Sequence, residues 1–205
     1  MSNNSLTRDT IVDFIFDLFA RRGAEAYMDE PINMAQHMEQ SAACAVAEGA
    51  SADLVIAALL HDIGHFVGDF PIDSLENGID NLHEKAGAKL LEAFYPASVT
   101  EPIRLHVAAK KYLCAVDEEY FLRLSAASVQ SLQVQGGPMT QSEIEAFESS
   151  PYHQSAVQVR RYDDDGKVAG LDIKPVQAYR DKLQSLLSHY PAYCTKATLR
   201  VTYAG

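Results

Sequence analysis

His61 and Asp62 stand side by side in a run that is otherwise almost wholly apolar, with Leu59 and Leu60 before them and Ile63 after. Burying an unpaired carboxylate there costs several kcal/mol, so Asp62 needs a compensating positive charge, and a metal cation beside a neutral imidazole provides one. Taken alone, such a pair is more often a capped or arginine-paired aspartate next to a core histidine. Accumulation changes that reading. His37 precedes the pair, His83 and His106 follow on later segments, and Asp163 comes near the end of the helical region. Residues so dispersed meet only in the fold, and a helical bundle is a known way to project ligands inward from facing helices. Imidazoles suit iron, zinc or copper, and two carboxylates without cysteine argue against a structural zinc. His65, one turn after His61, reads as an orienting residue or as core. The string from His61 to His65 has the spacing of a zinc-protease helix, but its Asp is one methylene shorter than the required Glu and Gly64 disfavours a regular helix.

The elements that must carry these residues are helical. Ile11, Ile15, Leu18 and Phe19 recur at helical spacing, with Thr7 or Asp9 as the cap and Gly23 as the stop. A loop bearing Tyr27, Glu30 and Pro31 follows, then a helix with Met34, His37, Met38, Gln40 and Ala42. Ser51 caps the next helix, predicted to run through Phe66. Residues 68–78 read as a long loop of the kind that often covers a site. Further helices are predicted over 83–93, 101–112, 122–134, 140–147, 152–162 and 175–189. Pro96 and Pro102 separate two of them, and Thr140 with Glu143 forms a capping box. Asp164, Asp165 and Gly166 are predicted to form a turn. The class is all-α, one bundle over residues 1–190, with 191–205 a tail of no assigned role.

Composition sets the limits. A chain of 205 residues with 47% hydrophobic and 22% charged residues is ordinary for one globular domain. A net charge of −11 argues against nucleic acid or an anionic membrane as partner, leaving room for a small anion only if local basic residues receive it. The three cysteines, Cys44, Cys114 and Cys194, form no CxxC pair and fit a reducing cytoplasm.

The order His37, His61-Asp62, His83, His106, Asp163 resembles the HD-domain superfamily, in the branch whose extra histidines hold two metals. The segments HVAAKKY (106–112), LSAAS (124–128), QGGPM (135–139) and VRRYDDDGK (159–167) are similar to its phosphonate-cleaving, mixed-valent diiron oxygenases. The spacing of Tyr27, Glu30, His37 and Gln40 is similar as well, and the likeness runs from about Tyr27 to Lys182. It implies a single HD domain in which His37, His61, Asp62, His83, His106 and Asp163 hold two Fe ions, Fe(II)/Fe(III), with Asp62 bridging. It places Tyr27, Glu30 and His65 in the catalytic set, and Gln40, Lys110, Ser128 and Arg160 at the substrate. Lys110 lies one helical turn after His106 and Arg160 three residues before Asp163, so both point where the ligands point. A point charge and a bidentate fork are the usual partners of a phosphonate.

The reaction implied uses O2 to cleave the C–P bond of a 1-hydroxy-2-aminoethylphosphonate. The N-trimethylated substrate, giving glycine betaine and phosphate, is preferred over the primary amine, giving glycine. Tyr27, Asp29 and Glu30 would offer an aromatic face and diffuse negative charge, and Met28 and Pro31 room for methyl groups. Two readings compete: an HD phosphohydrolase activating water at the same cluster without oxygen, and a non-enzymatic metal-binding bundle. The last has no reason to hold Lys110, Ser128 and Arg160 together. Replacing Arg160 by Ala is expected to weaken substrate binding far more than folding.

Overall fold

A helix without a polar face must be surrounded, and α3 (Ala52–Leu60) is such a helix, buried from Val55 to Leu60. In the computed structural model, which describes residues 6–27, 30–68 and 80–187, α2 (Met34–Ala47), α6 (Ala97–Val116) and α10 (His153–Asp165) pack around it. Before them, α1 (Ile11–Arg22) buries Ile11, Ile15, Leu18 and Phe19 on one stripe, as the periodicity predicts. The short α4 (Gly64–Val67) packs on α5 (His83–Leu91), which in turn lies against α6. Helices α7 (Glu118–Arg123), α8 (Ala126–Val134) and α9 (Gln141–Glu148) follow α6, and a 3-10 turn (Val176–Tyr179) leads into α11 (Arg180–Ser185). Among the described residues the only extended pairing is one isolated bridge between Ala26 and Asn33. None of their helices is long and apolar enough to cross a membrane.

Several boundaries differ from expectation. The cap position of α1 is Thr10, without a side-chain cap bond; Thr7 serves through its carbonyl, which accepts from Thr10 N and Ile11 N. At α2, Asn33 and Gln36 form a reciprocal capping box that fixes where the His37 helix starts. Helix α6 runs straight through Pro102, because Val99, Thr100, Pro102 and Ile103 are all buried and tertiary packing offsets one lost backbone bond. The expected 122–134 helix starts late, at Ala126, because Ser125 caps α8 by accepting from Ser128 N, while Leu122 and Arg123 belong to α7. Helix α10 continues past the expected turn to Asp165, so Asp163 lies within it. The loop over 68–78, apart from Gly68, and the tail over 191–205 lie outside the described residues, as do Met28 and Asp29.

Two glycines allow close approach rather than unusual dihedrals. A Cβ at Gly64 would overlap the carbonyl oxygen of His83, so only glycine lets α4 meet the start of α5. A Cβ at Gly166 would lie 2.5 Å from Ser41 Oγ and 2.9 Å from Ser41 N, so glycine lets the end of α10 touch α2.

Candidate metal centre and substrate pocket

Four histidines converge where α2, α3, α5 and α6 meet, and their hydrogen bonds determine which nitrogen each presents. The Nδ1 of His37 meets the Gly166 carbonyl at 2.9 Å, that of His61 the Ala58 carbonyl at 2.8 Å, and that of His106 the Ile103 carbonyl at 2.8 Å. A carbonyl can only accept, so each Nδ1 carries the proton and each Nε2 presents a lone pair. His83 Nδ1 lies 2.9 Å from Asn81 Oδ1 and is fixed the same way.

Those four Nε2 atoms face one another in two pairs, His37 with His61 at 3.1 Å and His83 with His106 at 3.2 Å. Opposed lone pairs repel unless a cation lies between them. Asp62 stands between the pairs and divides its oxygens. Oδ2 is 3.6 Å from His37 Nε2 and 3.4 Å from His61 Nε2, and Oδ1 is 3.2 Å from His83 Nε2 and 3.5 Å from His106 Nε2. Asp163 adds Oδ1 at 3.3 Å from His37 Nε2, and that buried oxygen accepts no hydrogen bond. His37, His61 and Asp62 form one group able to hold a metal ion, and Asp62, His83 and His106 a second. The residues therefore fit two cations sharing Asp62, the first with Asp163 as an additional donor.

The electrostatics agree. Burial alone would push the Asp62 carboxyl up and the His61 imidazole down. Instead His61 and His83 hold Asp62 well below the usual carboxylate range, and Asp62 with Asp163 lifts His61 to about 9. The two carboxylates draw positive charge into the cluster, whether proton or metal. Asp163 is likewise held low against its burial, chiefly by Arg160 and Lys167.

His65 does not join these ligands. Between α3 and α4 the backbone bonds run from residue i to i+3, Ile63 N to Leu60 O, His65 N to Asp62 O and Phe66 N to Ile63 O. This tightened turn interrupts the helix expected through Phe66 and rotates His65 away from the face of His61. It stacks instead on His83, ring centroids 4.1 Å apart, and burial followed by the charge of His83 pushes it down to about 3, so it is neutral.

Beside the cluster lies a small cavity of about 30 Å³, lined by Tyr27, His65, Lys110, Ser128 and Arg160, and by Asn81, Ser131 and Gln135 in addition. Lys110 and Arg160 are 3% and 4% exposed, which makes them built features and not surface charges. Lys110 Nζ donates to Ser131 Oγ at 2.6 Å, and burial, followed by Arg160, pushes it down to about 7. Arg160 donates from Nη1 to Asp163 Oδ2 at 2.6 Å, from Nε to the Tyr120 hydroxyl at 2.9 Å, and from Nη2 to Asp164. Its Nη2 also lies 3.4 Å from Ser128 Oγ. Lys167, never assigned a role, lies 3.2 Å from Ser128 Oγ and 5.9 Å above the Tyr27 ring. Tyr27 stacks on His37 at 3.8 Å, and burial first, then Asp163 and Asp62, raise its hydroxyl well above the usual phenol range.

Two expected site residues lie elsewhere. Gln40 spends both amide atoms on Val168, accepting from its N–H at 2.9 Å and donating to its carbonyl at 2.9 Å. It does not line the cavity; it fixes the chain after α10, and so the Gly166 carbonyl that orients His37. Glu30 is also absent from the lining, although its Oε1 is buried without a hydrogen-bond partner and its N–H donates to the Tyr27 carbonyl. Sequence reasoning missed Asn81, Ser131, Gln135, Tyr120 and Asp164. The signals available were the family-like segments that contain Gln135 and Asp164, and the helical spacing from Arg160 to Asp164.

Residues 32–119 match the HD domain. Over 187 residues, 91% of this chain and 95% of the relative, the sequence is 43% identical to the 1-hydroxy-2-(trimethylamino)ethylphosphonate dioxygenase (glycine-betaine-forming) of Leisingera caerulea. Over 180 residues, 87% of this chain and 89% of the relative, it is 43% identical to the hydroxymethylphosphonate dioxygenase of Gimesia maris. An uncharacterised protein of Acanthamoeba polyphaga mimivirus is 34% identical over 86% of the chain and 82% of its own length. With two such relatives aligned along nearly its whole length, the chain belongs to the HD-domain phosphonate dioxygenases.

Proposed function

We propose that this protein uses O2 to cleave the C–P bond of (R)-1-hydroxy-2-(trimethylammonio)ethylphosphonate, releasing glycine betaine and phosphate. Two irons, Fe(II) and Fe(III), would be held by His37, His61, Asp62, His83, His106 and Asp163. One observation carries the reading: Asp62 turns one oxygen to each histidine pair, next to a buried pocket holding Lys110, Arg160 and Ser128. The pocket accounts for a substrate carrying an anionic phosphorus group, which a purely structural bundle does not need; a phosphate ester would fill it equally well, and the two dioxygenase relatives favour the phosphonate.

Bound irons would supply oxygen activation and polarise the substrate's C1 hydroxyl. Lys110 meets the phosphonate as a point charge, Arg160 with what its carboxylates leave of its fork, and Ser128 and Ser131 with hydroxyl donors. Tyr27 closes the His37 side and keeps water from the cluster. The reaction balances with one O2: C1 becomes a carboxylate carbon and phosphorus leaves as phosphate. The unpaired Cys44 and Cys114 fit a cytoplasmic enzyme.

The test is Mössbauer and EPR spectroscopy of anaerobically iron-loaded protein, with addition of the trimethylated, primary-amine and hydroxymethyl phosphonates in turn, then O2. A coupled Fe(II)/Fe(III) signal that each true substrate perturbs, and phosphate release only after O2, is the expected result. Release without O2 would return the hydrolase. Faster turnover of either smaller phosphonate would reassign the substrate.

A further inference from the structure

Asn81 precedes α5, lines the cavity, and touches two histidines with one amide. Its orientation follows from an atom that has no choice: the backbone N–H of His83 can only donate, and the side-chain atom it meets, at 3.3 Å, must be the oxygen Oδ1. The same Oδ1 lies 2.9 Å from His83 Nδ1, which must therefore carry a proton, leaving the Nε2 lone pair toward Asp62 and His106. The amide nitrogen is left facing His65 Nδ1 at 3.4 Å. An NH2 group can only donate, so that Nδ1 is the acceptor and the proton of neutral His65 is on Nε2.

We infer that Asn81 is a positioning residue that sets two opposite tautomers at once, making His83 a nitrogen ligand and His65 an Nε2–H donor on a ring lining the phosphonate pocket. The two rings are stacked, 19° from parallel, so one amide spans their adjacent edges. Its carbonyl end serves the metal and its NH2 end serves the substrate. The inference rests on the proposed reading for the roles of the two histidines, but the tautomers themselves require neither oxygen nor phosphonate.

Asn81→Asp separates the two ends, because it keeps an acceptor for His83 and replaces the donor to His65 with a second acceptor. Asn81→Ala removes both. The full chain, labelled with 15N-histidine and loaded with diamagnetic Zn(II), is examined by long-range 1H–15N correlation. Wild type is expected to show His65 protonated on Nε2 and His83 on Nδ1. Asn81→Asp is expected to move a proton to His65 Nδ1 with two Zn(II) still bound, and to raise the phosphonate KM of the iron enzyme about tenfold or more. Asn81→Ala is expected to weaken one of the two Zn(II) sites by about 10–100-fold. Circular dichroism confirms that each variant is folded. A proton on His65 Nδ1 in the wild type overturns the assignment. So does an Asn81→Asp protein whose His65 tautomer is unchanged, or an Asn81→Ala protein with both zinc affinities intact. If the tautomers behave as expected and no C–P cleavage occurs, the proposed function fails and this inference stands.

Discussion

Arg160 and Asp163 share one face of α10 and an ion pair of 2.6 Å, so the guanidinium that lines the cavity also holds, from behind, the carboxylate that faces His37. The cavity and the histidine cluster are thereby joined through one side chain. Replacing Arg160 by Ala would leave the buried Asp163 with only the more distant Lys167, at 3.8 Å, as a cationic partner, and lower stability by about 3 kcal/mol. The expectation that this substitution spares folding is therefore revised. Arg160→Lys keeps the charge and loses the fork; it should fold, bind metal, and bind phosphonate at least about tenfold more weakly. Urea denaturation beside a binding titration separates the two effects.

Asp62 serves both histidine pairs, and its loss should be felt at both. Asp62→Asn is expected to reduce bound metal at both groups, since only Asp163, on the His37–His61 side, then offers a carboxylate to offset the charge of two cations. Asp163→Asn should affect chiefly the His37–His61 group. Metal analysis by mass spectrometry after dialysis distinguishes them, and equal losses would mean that Asp62 does not bridge.

Lys110 sets a pH dependence whose sign differs between binding and folding. Its pKa falls from an ordinary 10.5 to about 7, chiefly by burial. Below about 7 it is cationic in the folded protein and attracts a dianionic phosphonate; above that it is neutral, so kcat/KM should fall as pH rises through 7. Between about 7 and 10.5 the unfolded chain holds a proton that the native chain lacks, so this group's contribution to stability rises with pH. A pH–rate profile and thermal melts over the same range check both, and Lys110→Arg should move the kinetic limb upward.

Gly166→Ala tests the contact between α10 and α2. The added methyl would meet Ser41 Oγ at 2.5 Å and displace the carbonyl that accepts from His37 Nδ1. A loss of about 1–3 kcal/mol is expected, with weaker metal binding at the His37–His61 group. Differential scanning calorimetry with and without Zn(II) measures both, and a normal metal-induced shift in Tm would count against the role given to the Gly166 carbonyl.

Much of the centre was legible because its residues are chemically out of place. His61 and Asp62 interrupt an apolar run, and Thr140 with Glu143 announces a helix start; both features are local. Helix α6 was misread at Pro102 because the packing that sustains it comes from distant elements. The helix predicted through Phe66 hid the tightened turn for the same reason, since what forces it is the approach of His83 to Gly64, 19 residues apart in the sequence. Asn81 and Tyr120 carry no motif of their own. Each acts by touching a residue that does.

The tightened turn after α3 also bears on how such a centre can change. A residue larger than glycine at position 64 would push α5 outward, and His83 would leave with it. Regular helical pitch from His61 onward would swing His65 round to the face that His61 occupies. Gly64 thus ties the seat of His83 to the pitch of the chain that follows His61.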